Sequence, residues 1–201
     1  MRKNRPKRNL KPRYAVLGDG ITEQWYLYHL KDWKTYKYKI SPSLFADVGI
    51  EKAEGIIDEL LSEGYDQVTF LTDYDTIVSQ GKQDAFEKFV RKYRSKDEVL
   101  ICETMPAIEL WFLLHFTYTT REFPNCVQVE RELKRYLPEY EKRKSFLEKK
   151  AWFEEMVKGE SDAIERAGRL LQQLEGGDVG AHFPFSKIPQ ALHEFERQKG
   201  D

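Results

Sequence analysis

Short apolar runs alternate with stretches of helical spacing over the first hundred residues. Tyr14-Ala-Val-Leu17 is such a run, ended by Gly18-Asp19-Gly20, the mark of a buried strand stopped by a turn. Thr22 is placed to cap a helix over 22–30 that turns Trp25, Tyr26 and Leu30 inward. A second strand is expected over 38–44, with Pro42 confining part of it to a sheet edge. Ala53, Ile56, Ile57, Leu60 and Leu61 carry helical spacing over 51–62, and Gly64 stops it. The strongest strand is 67–72, which runs straight into Asp73-Tyr74-Asp75; a helix over 82–94 and a strand over 98–102 follow. The alternation predicts an α/β fold with a mostly parallel central sheet flanked by helices.

Beyond that point the pattern becomes helical. Helices are expected over 106–116, 127–137, 141–157 and 160–174, then a loop over 176–184 and a last helix capped by Ser186. The chain therefore divides into a start at 1–13, an α/β core at 14–116 and a helical extension at 117–201 packed on it. No internal repeat is visible.

Composition narrows the class. With 40% hydrophobic and 33% charged residues in 201, the chain is neither disordered nor collagen-like. Two cysteines, Cys102 and Cys126, make no disulfide framework, and no stretch approaches the roughly 20 apolar residues of a membrane span. The apolar run after the basic start is too short for a signal peptide, so a cytoplasmic protein is expected, with no membrane partner. The net charge of −1 conceals an asymmetry. Residues 1–13 hold seven of the 33 Lys and Arg (Arg2, Lys3, Arg5, Lys7, Arg8, Lys11, Arg13) and no acid, leaving 26 basic against 34 acidic side chains on the body. A basic arm of this kind suits phosphate contacts with nucleic acid. The second basic run, 142–150, is more ordinarily a solvated helix face, with phosphate contacts as the alternative.

Parallel sheets carry chemistry beyond the carboxyl ends of their strands, where Asp19, Asp73, Asp75 and Glu103 are expected. Residues i and i+2 on extended backbone project to one side, so Asp73 and Asp75 could face one hard cation. Asp is also common in turns that leave strands, so the pair alone says little. Asp19 on a neighbouring strand adds a third carboxylate, and three together repel unless a divalent ion is bound. Mg²⁺, or Mn²⁺, suits such an open site. Glu23 could add a ligand from the first helix. Glu109 lies in so apolar a helix that it needs a partner, and His115 is open to a packing role or to acid/base work.

Several of these segments together resemble a known family. Asp19-Gly-Ile-Thr-Glu23 followed by Tyr26, with the strand ending Asp73-Tyr-Asp75, resembles the acid-Gly and DxD pair of Toprim domains. Met105-Pro-Ala-Ile-Glu-Leu-Trp-Phe-Leu-Leu-His-Phe116 is similar to the Asn-Pro-x-Phe-Glu-Leu-Trp-Leu-Leu-His-Phe signature of the RloB-like family. Phe183-Pro-Phe-Ser-Lys-Ile188 is similar to that family's Asn-Pro-Ser-Thr-x-Val segment. The resemblance implies a Toprim-like fold and a bacterial phage-defence or abortive-infection role. It also implies Mg²⁺-dependent phosphodiester hydrolysis on DNA or RNA and an ATPase partner. Carried over, Asp19, Asp73 and Asp75 would hold the metal. Glu23 and Glu109 are added at the same centre on separate grounds, the one by its place in the first helix and the other by its need of a partner. The chain departs from the family in Asp19, where Glu is usual, and Met105, where Asn is usual. Both departures favour an alternative, a catalytically degenerate sensor or regulatory subunit. A third reading is a basic-armed nucleic-acid binder without chemistry. DNA or RNA, the partner's identity and homo-oligomerisation stay open.

Overall fold

A computed structural model describes residues 11–41 and 48–200. The elements run β1 (Tyr14–Gly18), α1 (Ile21–Lys34), β2 (Lys39–Ser41), α2 (Ile50–Ser62), β3 (Gln67–Asp73), α3 (Tyr74–Ser79), α4 (Gln83–Tyr93) and β4 (Val99–Met105). They continue with α5 (Glu109–Leu114), α6 (Cys126–Leu133), α7 (Lys144–Leu147), α8 (Ala151–Val157), α9 (Glu160–Glu175), β5 (Phe185–Ser186) and α10 (Ile188–Lys199). The sheet order is β2-β1-β3-β4-β5, with the first four strands parallel and β5 antiparallel to β4.

Both faces of this sheet are covered, which is why its strands read as unbroken apolar runs. Strand side chains alternate between faces. Val16, Leu71 and Cys102 enter one core with α1 and the helical second half; Trp111, Trp152, Leu170 and Phe195 lie in it too. Ala15, Leu17, Val68 and Phe70 enter the other, under α2 and α4, with Ile57, Phe86 and Phe89. The larger core thus joins residues from both halves of the chain. Among the described residues no helix is long and apolar enough to cross a membrane.

The fold class is as expected, but several boundaries differ. Helix α1 begins at Ile21 with Gly20 as its N-cap residue, and Thr22 is buried rather than capping. Only Lys39–Ser41 of the expected 38–44 strand is seen as strand, and 42–47 lie outside the described residues. Strand β4 continues to Met105, so Glu103 lies inside it rather than past its end. A cis Met105–Pro106 peptide follows, and α5 starts only at Glu109. The helix expected over 141–157 is broken into α7 and α8. The two-residue β5 and six-residue α3 were not anticipated; neither is long enough to show a period. Ser186 lies in β5, and its Oγ accepts from Ile188 N at 3.3 Å at the start of α10.

Candidate metal centre

Strand pairing builds the centre. Gly18 of β1 lies in register with Leu71 of β3, so the residues that follow, Asp19 and Thr72-Asp73, meet at the carboxyl edge of the sheet. Asp19 Oδ2 accepts from Thr72 Oγ1 and from the Asp73 backbone N, both at 2.8 Å. Asp73 Oδ1 accepts from the Ile108 backbone N at 2.7 Å, which ties β3 to the segment after β4. Glu23, in the first turn of α1, is 3% exposed and leans over the same point. Two glycines make room for it: a Cβ at Gly18 would lie 2.5 Å from Glu23 Cβ, and one at Gly20 2.8 Å from Glu23 Oε2. Asp19, Glu23 and Asp73 each offer an oxygen within 4.8 Å of the others. They line a cleft of about 410 Å³ together with Thr72, Thr76 and Lys142.

Glu109 approaches from α5 and is fully buried. Its Oε1 accepts from the Tyr140 hydroxyl at 2.6 Å, and its Oε2 forms an ion pair with Lys142 Nζ at 2.9 Å. The expensive carboxylate of an apolar helix therefore has the partners its burial demands.

The electrostatics follow from four acids around one lysine. Burial pushes the Asp19 carboxyl up to about 6, against hydrogen bonds from Asp73 and Thr72 that pull it down. Burial, then the charges of Asp19 and Glu109, hold Glu23 well above the usual carboxylate range. Asp73 is held well above it by burial and by Glu23, Asp19 and Glu109. Burial alone would lower Lys142, yet Glu109 and Asp73 raise it above its ordinary value. Carboxylates that resist ionisation when crowded are relieved by a bound cation. A hard divalent ion such as Mg²⁺ fits this donor set, and Asp19, Glu23 and Asp73 are the residues that would hold it.

Other candidates fall elsewhere. Strand β3 ends at Asp73, so Asp75 sits in the first turn of α3 and the extended i, i+2 geometry does not apply. Its Oδ2 accepts from the Cys126 backbone N at 3.0 Å, capping α6, and it is outside the converging group. Glu103 pairs with Lys187 at 2.5 Å. His115 is buried, with Nδ1 2.9 Å from the Trp111 carbonyl and its ring against Trp111; burial lowers it to about 4. That is a packing environment. Arg13 binds its own fold, with its guanidinium donating to the Glu63 carbonyl at 2.7 Å and lying over the Tyr65 ring. Lys11 is exposed, and Arg2, Lys3, Arg5, Lys7 and Arg8 lie outside the described residues. Lys150 of the second basic run pairs with Asp32.

Sequence reasoning missed Tyr140 as part of the centre, and it read Lys142 as one member of a basic run open to phosphate contacts rather than as the partner of Glu109.

No curated protein and no solved structure matches this chain. A family model described as RloB-like protein matches residues 14–194. The acidic cluster and helix α5 with its buried Glu109 lie within that span, and the chain belongs to the RloB-like family.

Proposed function

We propose that this chain is a Toprim-like, metal-dependent nuclease that hydrolyses phosphodiester bonds of DNA or RNA in a bacterial phage-defence system, working with an ATPase partner. One observation carries the reading. Three carboxylates from β1, α1 and β3 converge within 4.8 Å in an open cleft that also presents Lys142. Mg²⁺ or Mn²⁺ bound there would supply Lewis acidity and an activated water. The chain's own residues do the rest. Asp19 and Asp73 are held in place by Thr72 and by the backbone N–H groups of Asp73 and Ile108. Glu23 closes the third side of the site. Lys142 and Lys82 line the cleft with positive charge suited to a phosphate. All three acids must ionise to bind a cation, so affinity rises with pH.

Cleavage of plasmid DNA, single-stranded DNA and tRNA in Mg²⁺ or Mn²⁺, by the chain alone and with its ATPase partner, tests the proposal. Cleavage that disappears in Asp73→Ala is expected. Absence of cleavage under every condition would sink it. The regulatory-subunit alternative has one observation of its own: Asp19 Oδ2 already accepts two hydrogen bonds. It predicts no saturable binding of Mg²⁺ or Mn²⁺.

A further inference from the structure

The acids around the cleft are unequally available. Sites that use two ions for phosphoryl transfer hold them about 3.5–4 Å apart, bridged and flanked by carboxylates. Here Asp19, Glu23 and Asp73 converge on one point. The fourth acid, Glu109, has one oxygen on the Tyr140 hydroxyl and the other on the Lys142 ammonium. Asp75, the remaining acid of the DxD pair, is drawn off to the Cys126 backbone N. Glu109 is held in its ion pair and Asp75 lies outside the converging group, so neither is placed to hold a second ion beside the first.

Lys142 is itself held in position. Tyr140, two residues earlier, is fully buried and grips the same Glu109 carboxylate, so residues i and i+2 of one segment anchor on one group. The Lys142 side chain is 33% exposed and lines the cleft beside Asp19, Glu23 and Asp73. An ammonium is a compact point charge with three donors, so pairing with Glu109 leaves it able to donate to another oxygen.

We infer that Lys142 serves as the second cation of this centre. The site takes one divalent ion, and the Lys142 ammonium, fixed by Glu109 and Tyr140, contacts a phosphodiester oxygen of the nucleic acid. The inference rests on the metal-site reading above and deepens it by giving the stoichiometry and the phosphate-contacting residue.

The test combines Mn²⁺ titration of the full chain with oligonucleotide binding across a salt series in Ca²⁺. A DNA duplex and a single-stranded RNA serve as separate probes. The wild type is expected to bind one Mn²⁺ per chain. Two ions would overturn the inference while leaving the metal site standing; none would remove both. Lys142→Gln is expected to tighten Mn²⁺ about tenfold, because one positive charge leaves the edge of the site. It should also lower the slope of log affinity against log salt by about 0.7–0.9, the signature of one lost phosphate contact. Lys142→Arg should restore the slope.

The double variant Glu109→Gln with Lys142→Gln removes both members of the ion pair, so no unpaired buried charge remains to unfold the protein. Its Mn²⁺ affinity should return to within about twofold of wild type, with the salt slope still lowered. An unchanged slope in both Gln variants, or failure of both probes to bind, would refute the phosphate contact.

Discussion

Asp19→Asn separates the electrostatics of the centre from its geometry. The amide oxygen of Asn can still accept from Thr72 Oγ1 and the Asp73 backbone N, the two bonds that hold the side chain. What the substitution removes is a negative charge in a buried cluster. Folding raises the Asp19 carboxyl from 3.8 to about 6, chiefly through burial. The native state therefore binds more protons than the unfolded chain between those values, and stability falls as pH rises through the window. Above pH 6 the full difference applies, about 2.2 pH units at 1.36 kcal/mol each, or about 3 kcal/mol. A neutral Asn escapes that penalty. In a chain of this size each kcal/mol moves the melting temperature by about 2–4 °C, so the variant should melt about 6–12 °C higher at pH 8.

The assay is thermal denaturation in EDTA from pH 5 to pH 8, then again in saturating Mg²⁺. By pH 5 most of Asp19 is protonated in the native state, and the advantage of Asn should shrink to about half. Mg²⁺ should invert the order, because a ligand that binds only the folded state stabilises it and Asn is a poorer ligand for a hard cation. A gain that is absent at pH 8, or that is as large at pH 5, would refute the reasoning. So would equal stabilisation of both proteins by Mg²⁺.

Other substitutions divide the remaining acids and the backbone by role. Asp75→Ala removes an acceptor at the start of α6 and should cost about 1 kcal/mol of stability, while calorimetric Mg²⁺ affinity stays within about twofold of wild type. Gly18→Ala places a methyl 2.5 Å from Glu23 Cβ, so α1 must shift; melting should show a loss of about 1–3 kcal/mol, and Mg²⁺ affinity should fall with it. His115→Gln should lower the melting temperature without moving the pH profile of cleavage, since His115 titrates near 4 inside the core. Deleting residues 1–10 should weaken oligonucleotide binding and flatten its salt dependence, with Mn²⁺ affinity unchanged in calorimetry.

Strands were legible wherever an apolar run exceeded the length of a turn, and the placement of Asp19 and Asp73 followed from that. Both lie at the carboxyl ends of parallel strands, as βα alternation implies, and the pairing of β1 with β3 then sets them side by side. Asp75 was misplaced because its direction depends on whether the backbone stays extended after Asp73, and a six-residue helix leaves no periodic trace. Glu109 was legible in the opposite way. A carboxylate in an apolar helix demands a partner, which the sequence could require but not identify. The partners, Tyr140 and Lys142, come from the segment between α6 and α7, and only the packing of the helical half on the sheet brings them there.

The same topology changes the meaning of the basic start. In sequence Arg13 almost adjoins Asp19, which suggests one continuous phosphate-binding surface. In space β1 stands between them, with Arg13 at the amino end of the strand and Asp19 beyond its carboxyl end. Five residues of extended chain span about 17 Å. Arg13 is anchored at that far end by Asp66, Glu63 and Tyr65. Arginine at that end and the metal centre can contact one nucleic acid only if it runs along the strand direction for roughly half a duplex turn. The phosphate contacts proposed at the cleft would therefore fall to cations that the fold brings to the carboxyl edge, and among the described residues lining it these are Lys82 and Lys142. In the proposed nuclease, the positive charge beside the metal would come from Lys82 and Lys142 of the acidic body rather than from the anchored Arg13.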